Sequence, residues 1–215
     1  MKTILISDFD GTISKRDFFW YAIDNLLTKE DITPWQEYLS KKITHVEALK
    51  RIFEKIKIDE KEFHDFVLTL PIEEKFVDTV KLAKSKNIPY YIVSAGAEWY
   101  IKLILQELGV YEDVNLISNP STYSQKDGLV MTPFGEDNPY YSKNLGVSKK
   151  KVVENFKNQG YFCVYAGDGK PDFEAAKKSD IIFARGTLLD LCKDERIETL
   201  PFDSYQNVYD YIEKV

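Results

Sequence analysis

Four short runs of the chain are almost wholly apolar: residues 3–7, 88–94, 161–166 and 181–184, with a weaker fifth at 114–118. Runs of this length, without alternation, read as strands buried on both faces. Between them the apolar residues recur at helical spacing. Residues 97–108 run up to Gly109, residues 149–158 stop short of Gly160, and residues 172–178 follow Pro171, so the breakers stand where helices start or stop. Strands alternating with helices predict an α/β fold: a Rossmann-like parallel sheet with helices on both faces.

One stretch interrupts the alternation. Residues 17–71 carry only helical signals. Thr33-Pro34 reads as an N-cap followed by proline in the first turn. Thr44 with Glu47, and Asp59 with Glu62, have capping-box spacing. Val46, Leu49, Ile52, Phe53 and Ile56 share one helical face. This predicts an all-helical cap domain, residues 17–71, inserted between the first and second strands of a core made of 1–16 and 72–215. Residues 119–146 are irregular; there Lys126-Asp127-Gly128 signals a hairpin turn and 129–131 a returning strand.

Composition narrows the class. Hydrophobic residues make up 44% and charged residues 30% of the 215 positions, as in ordinary globular proteins. The net charge of -6 argues against a nucleic-acid partner, which would call for a basic face. No apolar run nears the roughly 20 residues that span a bilayer, so no membrane partner is expected. No signal-peptide layout opens the chain, and the expected location is cytoplasmic. Cys163 and Cys192, far apart in sequence, read as small core residues.

The chemistry gathers at strand ends, where ligands of parallel sheets bind. The first strand ends in Ser7-Asp8-Phe9-Asp10-Gly11-Thr12. Asp8 and Asp10, two apart on extended backbone, point the same way. Close carboxylates repel unless a proton or cation lies between them, which suggests a hard, oxygen-seeking ion such as Mg²⁺. Gly11 lets backbone approach a phosphate, and Thr12 adds a hydroxyl. The second strand ends at Ser94-Ala95-Gly96, offering a hydroxyl and a helix N-terminus for phosphate. The strand at 161–166 leads into Gly167-Asp168-Gly169-Lys170-Pro171-Asp172, and Ser148-Lys149-Lys150-Lys151 opens a helix with a cation to offer.

These four motifs, in this order over essentially the whole chain, resemble the haloacid dehalogenase-like superfamily of phosphohydrolases. The cap position resembles its phosphoserine-phosphatase-like branch. The tail, from Glu174-Ala175-Ala176 through Phe183-Ala184-Arg185 to Leu188-Leu189 and Cys192, is similar to the methionine-salvage hydroxy-keto-methylthiopentenyl phosphate phosphatases, although no cysteine stands between Asn119 and Ser148. The resemblance implies a phosphatase acting on a small phosphorylated metabolite. Asp8 would be the nucleophile and Asp10 the general acid and base. Mg²⁺ would be held by Asp8, Asp10 through its backbone carbonyl, and Asp168. Thr12, Ser94, Gly96 and a lysine would bind phosphate, with Asp172 orienting that lysine or a metal-bound water. Val152 and Val153 favour Lys149 as that lysine, with Lys150 the alternative.

Other residues stay open at this stage. Asp17 and Arg51 are candidate substrate contacts. His45 and His64 read as surface or structural residues of the cap. Phe18 to Tyr21, Trp99 and Tyr100 serve either a core or the roof of a pocket. A phosphomutase or phosphotransferase would carry the same motifs, and a non-catalytic binding protein could keep the fold.

Overall fold

The computed structural model describes residues 2–215. In chain order the elements are β1 (Lys2–Ser7), α1 (Phe18–Leu26), α2 (Thr33–Leu39), α3 (His45–Phe53), α4 (Glu60–Leu68), α5 (Phe76–Ser85), β2 (Tyr90–Ala97) and α6 (Glu98–Glu107). There follow β3 (Asn115–Asn119), β4 (Ser121–Ser124), β5 (Gly128–Met131), β6 (Tyr141–Ser142), β7 (Gly146–Val147), α7 (Lys149–Asn158) and β8 (Tyr161–Gly167). The chain closes with α8 (Phe173–Ala176), β9 (Ile181–Ala184), α9 (Gly186–Asp194) and α10 (Tyr205–Lys214).

Five strands form a parallel sheet in the order β3-β2-β1-β8-β9. Successive side chains of a strand leave on opposite faces, and the core divides accordingly. Leu5, Ile92 and Val164 pack with Phe76, Val80, Ile101, Tyr205 and Ile212 on one side. Ile4, Ile6, Val93, Cys163 and Tyr165 pack with Val152, Val153, Phe156, Leu188 and Cys192 on the other. Both cysteines are free and buried. The strand order reverses at β1, whose neighbours are β2 and β8. The crevice beyond the carboxyl ends of β1 and β8 is therefore the expected ligand site of such a sheet.

Helices α1 to α4 fill the insertion between β1 and β2. The chain leaves and re-enters the sheet side by side: Lys15 N donates to Pro71 O at 2.8 Å and Glu73 N to Ile13 O at 2.9 Å. Apolar residues of the insertion (Phe18, Phe53, Phe63, Val67) run on without a break into the core face that holds Leu5 and Phe9. Antiparallel β4 and β5 pack against this block, with Leu129 and Met131 buried and Tyr123 Oη donating to Ile58 O at 2.7 Å. Gly128 has φ +78°, and a Cβ there would lie 2.4 Å from the carbonyl oxygen of Glu54, so a left-handed turn and close approach both require glycine.

Several boundaries differ from the sequence-based expectation. The second strand runs Tyr90–Ala97 rather than 88–94: Pro89 has no N–H for the ladder, and pairing resumes at Ala97↔Asn119 after a bulge. Ser94 thus lies inside the strand. The helix after Pro171 covers only Phe173–Ala176, because Lys170–Asp172 form a 3₁₀ turn. Thr33 does not cap α2; its hydroxyl donates to Glu30 O at 2.8 Å, and Ile32 holds the cap position. Thr44 and Asp59 do cap α3 and α4 through their side chains. At α3, Glu47 pairs with Arg51 and Lys50 instead of closing the box.

Candidate active site

The carboxyl end of β1 carries Asp8 into the crevice. Its backbone N–H donates to Ala166 O at 2.9 Å, which ties it to β8, and its Oδ1 accepts from Phe9 N at 2.7 Å. Lys149, on the first turn of α7 behind N-cap Ser148, places Nζ 2.6 Å from Asp8 Oδ2 and 2.7 Å from Asp172 Oδ1. Only 2% of Lys149 is exposed. Adjacent helical residues point about 100° apart, and the next two lysines turn outward: Lys150 lies near Glu154, and Lys151 donates to Tyr141 O.

The turn after β8 brings Asp168 and Asp172 to the same place. Carboxylate oxygens of Asp8, Asp168 and Asp172 lie within 4.8 Å of one another, close enough to share one cation. The three are not equivalent. Asp172 is fully buried, and its oxygens already accept from Lys149 Nζ, Tyr165 Oη (2.6 Å), Asp168 N (3.2 Å) and Gly169 N (2.9 Å). A carboxylate offers about four acceptor positions, so Asp172 is spent on orienting Lys149 and the turn. Asp8 and Asp168 keep capacity for a metal. Burial, then the charge of Asp172, raises Asp8 well above the usual carboxylate range and pushes Asp168 up to about 6. Burial opposes the charge of Lys149, yet Asp172 and Asp8 outweigh it and raise the lysine above its ordinary value.

Asp10 lines the same crevice but stands outside this group of three carboxylates. Its Oδ1 accepts from Phe18 N at 3.1 Å; its Oδ2 accepts from Tyr100 Oη at 2.6 Å and Ser94 Oγ at 3.3 Å. Burial and the neighbouring charge of Asp17 push its carboxyl up to about 7. A carboxyl poised there can give and take a proton near neutrality. Gly11 follows with φ +73°, and a Cβ would lie 2.4 Å from Asp168 Oδ2, so only glycine lets the motif turn against the acidic cluster.

These side chains open on a cavity of about 110 Å³, lined by Asp8, Asp10, Ser94, Gly96, Lys149 and Asp168 on the sheet side. The insertion supplies Asp17, Phe19, Trp20, Trp35, His45, Leu49 and Phe53, with Trp20 at the mouth, 44% exposed. Two expected contacts lie elsewhere. The hydroxyl of Thr12 donates to Asp168 Oδ1 at 2.8 Å and does not line the cavity. Arg51 is bound to Glu47 (2.7 Å) and Glu37 (3.2 Å) on the outer side of α3, where short cap helices leave it among acidic neighbours. Gly96 lines the cavity, but its N–H donates to Ser94 Oγ at 2.9 Å.

The sequence model of a family described as "Putative Phosphatase" matches residues 3–189. The chain belongs to this family. It is similar over nearly its whole length to methylthiopentenyl-phosphate phosphatases. A 2-hydroxy-3-keto-5-methylthiopentenyl-1-phosphate phosphatase of Lysinibacillus sphaericus is 26% identical over 218 aligned residues, covering 100% of this chain and 96% of the relative. One from Bacillus pumilus is 30% identical over 195 residues, covering 90% and 83%. The structure of a phosphoserine phosphatase from T. onnurineus superposes with a TM-score of 0.66 at 17% identity, covering 100% of this chain and 96% of that one, which shows a shared fold.

Behind the site lies a supporting layer, centred on Arg185 of the tail, whose role motif reading did not give. Arg185, just past β9, donates from Nε to Gly11 O (2.9 Å), from one terminal nitrogen to Thr12 O (2.9 Å) and from the other to Glu73 Oε1 (2.8 Å). Glu73 in turn accepts from Tyr205 N at 3.3 Å. The Tyr205 hydroxyl, paired with that of Tyr90, donates to Ser7 Oγ at 2.7 Å, and Ser7 donates to Asp8 O at 2.7 Å. The loop bearing Asp8 and Asp10 is thus held from behind by bonds that no local spacing announces. Tyr100, an aromatic with two open roles in sequence, fills both: it stacks on Phe18 at 3.9 Å and binds Asp10.

Proposed function

We propose that the protein is a Mg²⁺-dependent phosphatase that hydrolyses the monoester of a small metabolite through a phosphorylated Asp8. The observation that carries this reading is Lys149 Nζ lying between Asp8 and Asp172, with Asp168 alongside and a small roofed cavity above. Asp8 Oδ attacks phosphorus in line as the bond to the leaving oxygen breaks, and Asp10 gives that oxygen its proton. Asp10 then takes a proton from the water that attacks the aspartyl phosphate, restoring Asp8 and releasing inorganic phosphate. Lys149 and Ser94 hold the equatorial oxygens, where charge gathers in the transition state. Asp8, Asp168 and the backbone carbonyl of Asp10 would hold Mg²⁺, which would supply positive charge against that of nucleophile and phosphate.

Residues 17–71 act as the cap over a core of 1–16 and 72–215, and the paired crossings at 13–15 and 71–73 serve as its hinge. The cavity admits a small ester and favours water exclusion once closed. We take 2-hydroxy-3-keto-5-methylthiopentenyl-1-phosphate as the first substrate to try, since relatives bearing that name match along nearly the whole chain. Free, buried thiols at both cysteines fit the reducing cytoplasm; among the described residues no helix is long and apolar enough to cross a membrane. The test is hydrolysis of p-nitrophenyl phosphate and of that candidate, with EDTA and after return of Mg²⁺. Activity should vanish and come back, and Asp8→Asn should form no phosphoenzyme. Full activity in EDTA, or base-labile phosphate on the Asp8→Asn protein, overturns the mechanism.

A further inference from the structure

Opposite the carboxylates, the roof of the cavity is aromatic and contains one basic nitrogen heterocycle. His45 opens α3 directly after N-cap Thr44, and its backbone N–H donates to Asn144 Oδ1 at 3.1 Å, which fixes where the ring begins. The ring stands edge-on to Trp35 (centroids 5.6 Å apart) and Tyr38 (5.3 Å). Its Nδ1 is buried and finds no hydrogen-bond partner in the protein. Buried polar atoms are nearly always paired, so an orphan on a residue that lines the cavity calls for a partner that the chain does not supply. Burial, with the charge of Lys149 nearby, lowers His45 to about 4. The imidazole is therefore neutral in the working range, with one nitrogen that donates and one that accepts.

The rest of the lining narrows what that partner can be. Among the described residues Lys149 is the sole cationic side chain lining the cavity, and it already faces Asp8 and Asp172. A carboxylate on the leaving group would sit with Asp10 and Asp17 and meet no free cation. The rings of Phe19, Trp35 and Phe53 suit a carbon skeleton instead.

We propose that His45 is a substrate-binding residue that reads an oxygen on the leaving group, a hydroxyl or carbonyl within a few bonds of the ester, on a chain without a carboxylate. This deepens the phosphatase reading and rests on it. A histidine kept for packing alone would tolerate phenylalanine in its place; a reading histidine would not.

The experiment uses the full chain with Mg²⁺ and matched esters: butyl phosphate against 2-hydroxybutyl and 3-hydroxybutyl phosphate. The quantity read is the ratio of kcat/KM within each pair, in which any loss common to both members cancels. The wild type should favour at least one hydroxylated ester by about ten-fold, the size of one buried hydrogen bond. His45→Phe should bring that ratio to about one, and His45→Asn, whose amide reaches roughly where Nδ1 stands, should keep part of it. Should His45→Phe not fold, His45→Leu carries the same comparison. A wild type with no preference in either pair, or a preference that survives both apolar variants, overturns the role of His45 and leaves the phosphatase reading standing. A wild type inert toward all three esters yet active on p-nitrophenyl phosphate overturns the role of His45 alone, and one inert toward p-nitrophenyl phosphate as well overturns both.

Discussion

Replacing Asp10 by asparagine should inactivate the enzyme and, above neutral pH, make it more stable. The folded protein holds this carboxyl up to about 7, chiefly through burial and next through the charge of Asp17, whereas an unfolded chain releases the proton near 3.9. A group raised in this way contributes stability that is fully present below the unfolded value and is lost as pH climbs through the folded one. Between pH 5 and pH 8 the unfolded carboxyl stays ionised while the folded one gives up its proton. About two pH units of that interval lie below the folded value, at roughly 1.4 kcal/mol each, for an upper figure of about 3 kcal/mol. Asp10 is only partly buried, and water entering the cavity reduces the expected loss to about 1–3 kcal/mol. Asparagine keeps the neutral form at every pH. Its oxygen can still accept from Phe18 N, and the hydroxyls of Tyr100 and Ser94 can turn to accept from its amide. His45, lowered to about 4, acts in the opposite direction over part of this range, but it is present in both proteins and cancels in the comparison. Urea denaturation in EDTA at pH 5 and pH 8 supplies the test. The variant should gain on the wild type by about 1–3 kcal/mol on going to pH 8. A difference that stays constant, or moves against the variant, would refute the placement of a raised carboxyl at Asp10.

Two further outcomes follow from the same geometry. Lys149→Ala should lower kcat/KM by two orders of magnitude or more, about 2.7 kcal/mol of transition-state stabilisation, while Lys150→Ala and Lys151→Ala stay within a few-fold in steady-state kinetics. Arg185→Gln releases the carbonyls of Gly11 and Thr12 and leaves Glu73 buried without its ion partner, so it should cost about 3 kcal/mol in chemical denaturation and lower kcat more than it raises KM. Arg185→Lys should rescue little, since one ammonium cannot reach three acceptors spread over two segments.

The sheet was readable because its strands are covered on both faces, and burial of that kind leaves runs such as Ile4-Leu5-Ile6 that no exposed segment resembles. The end of β2 was not, and the reason is physical. Only Ala97 pairs with β3 there; the bulge before it is held by Gly96 N donating to Ser94 Oγ and the Asn119 amide donating to Ala95 O, neither of which requires an apolar side chain. The insertion was legible as helices from its caps and its apolar stripe on α3. Which face of α3 would look into the cavity was not, because that depends on how β4 and β5 press against it. Arg51 and His45 illustrate the consequence: the charged residue that suggested a ligand turned outward to Glu37 and Glu47, and His45, which read as a surface or structural residue of the cap, lines the cavity beside Trp35 and Tyr38.

For the site the dividing line is the number of partners a group has. Asp8, Asp168 and Lys149 stand at strand ends and a helix start, where any side chain of the right type reaches the crevice, so position alone pointed to them. Thr12 stands equally well, yet its use differs from what position suggests, whereas Asp172 lies where it was expected, beside the lysine. Thr12 gives its hydroxyl to Asp168, and Asp172 has its oxygens filled by a lysine, a tyrosine and two backbone amides. A carboxylate so saturated gains little from a metal and would lose those bonds by turning to one. The acidic cluster is therefore divided: Asp172 fixes Lys149, and Asp8 and Asp168 keep oxygens with capacity to accept a cation. That division rests on Tyr165 and on the amides of Asp168 and Gly169 converging on one side chain, an arrangement created by the turn after β8 and invisible until the chain has folded.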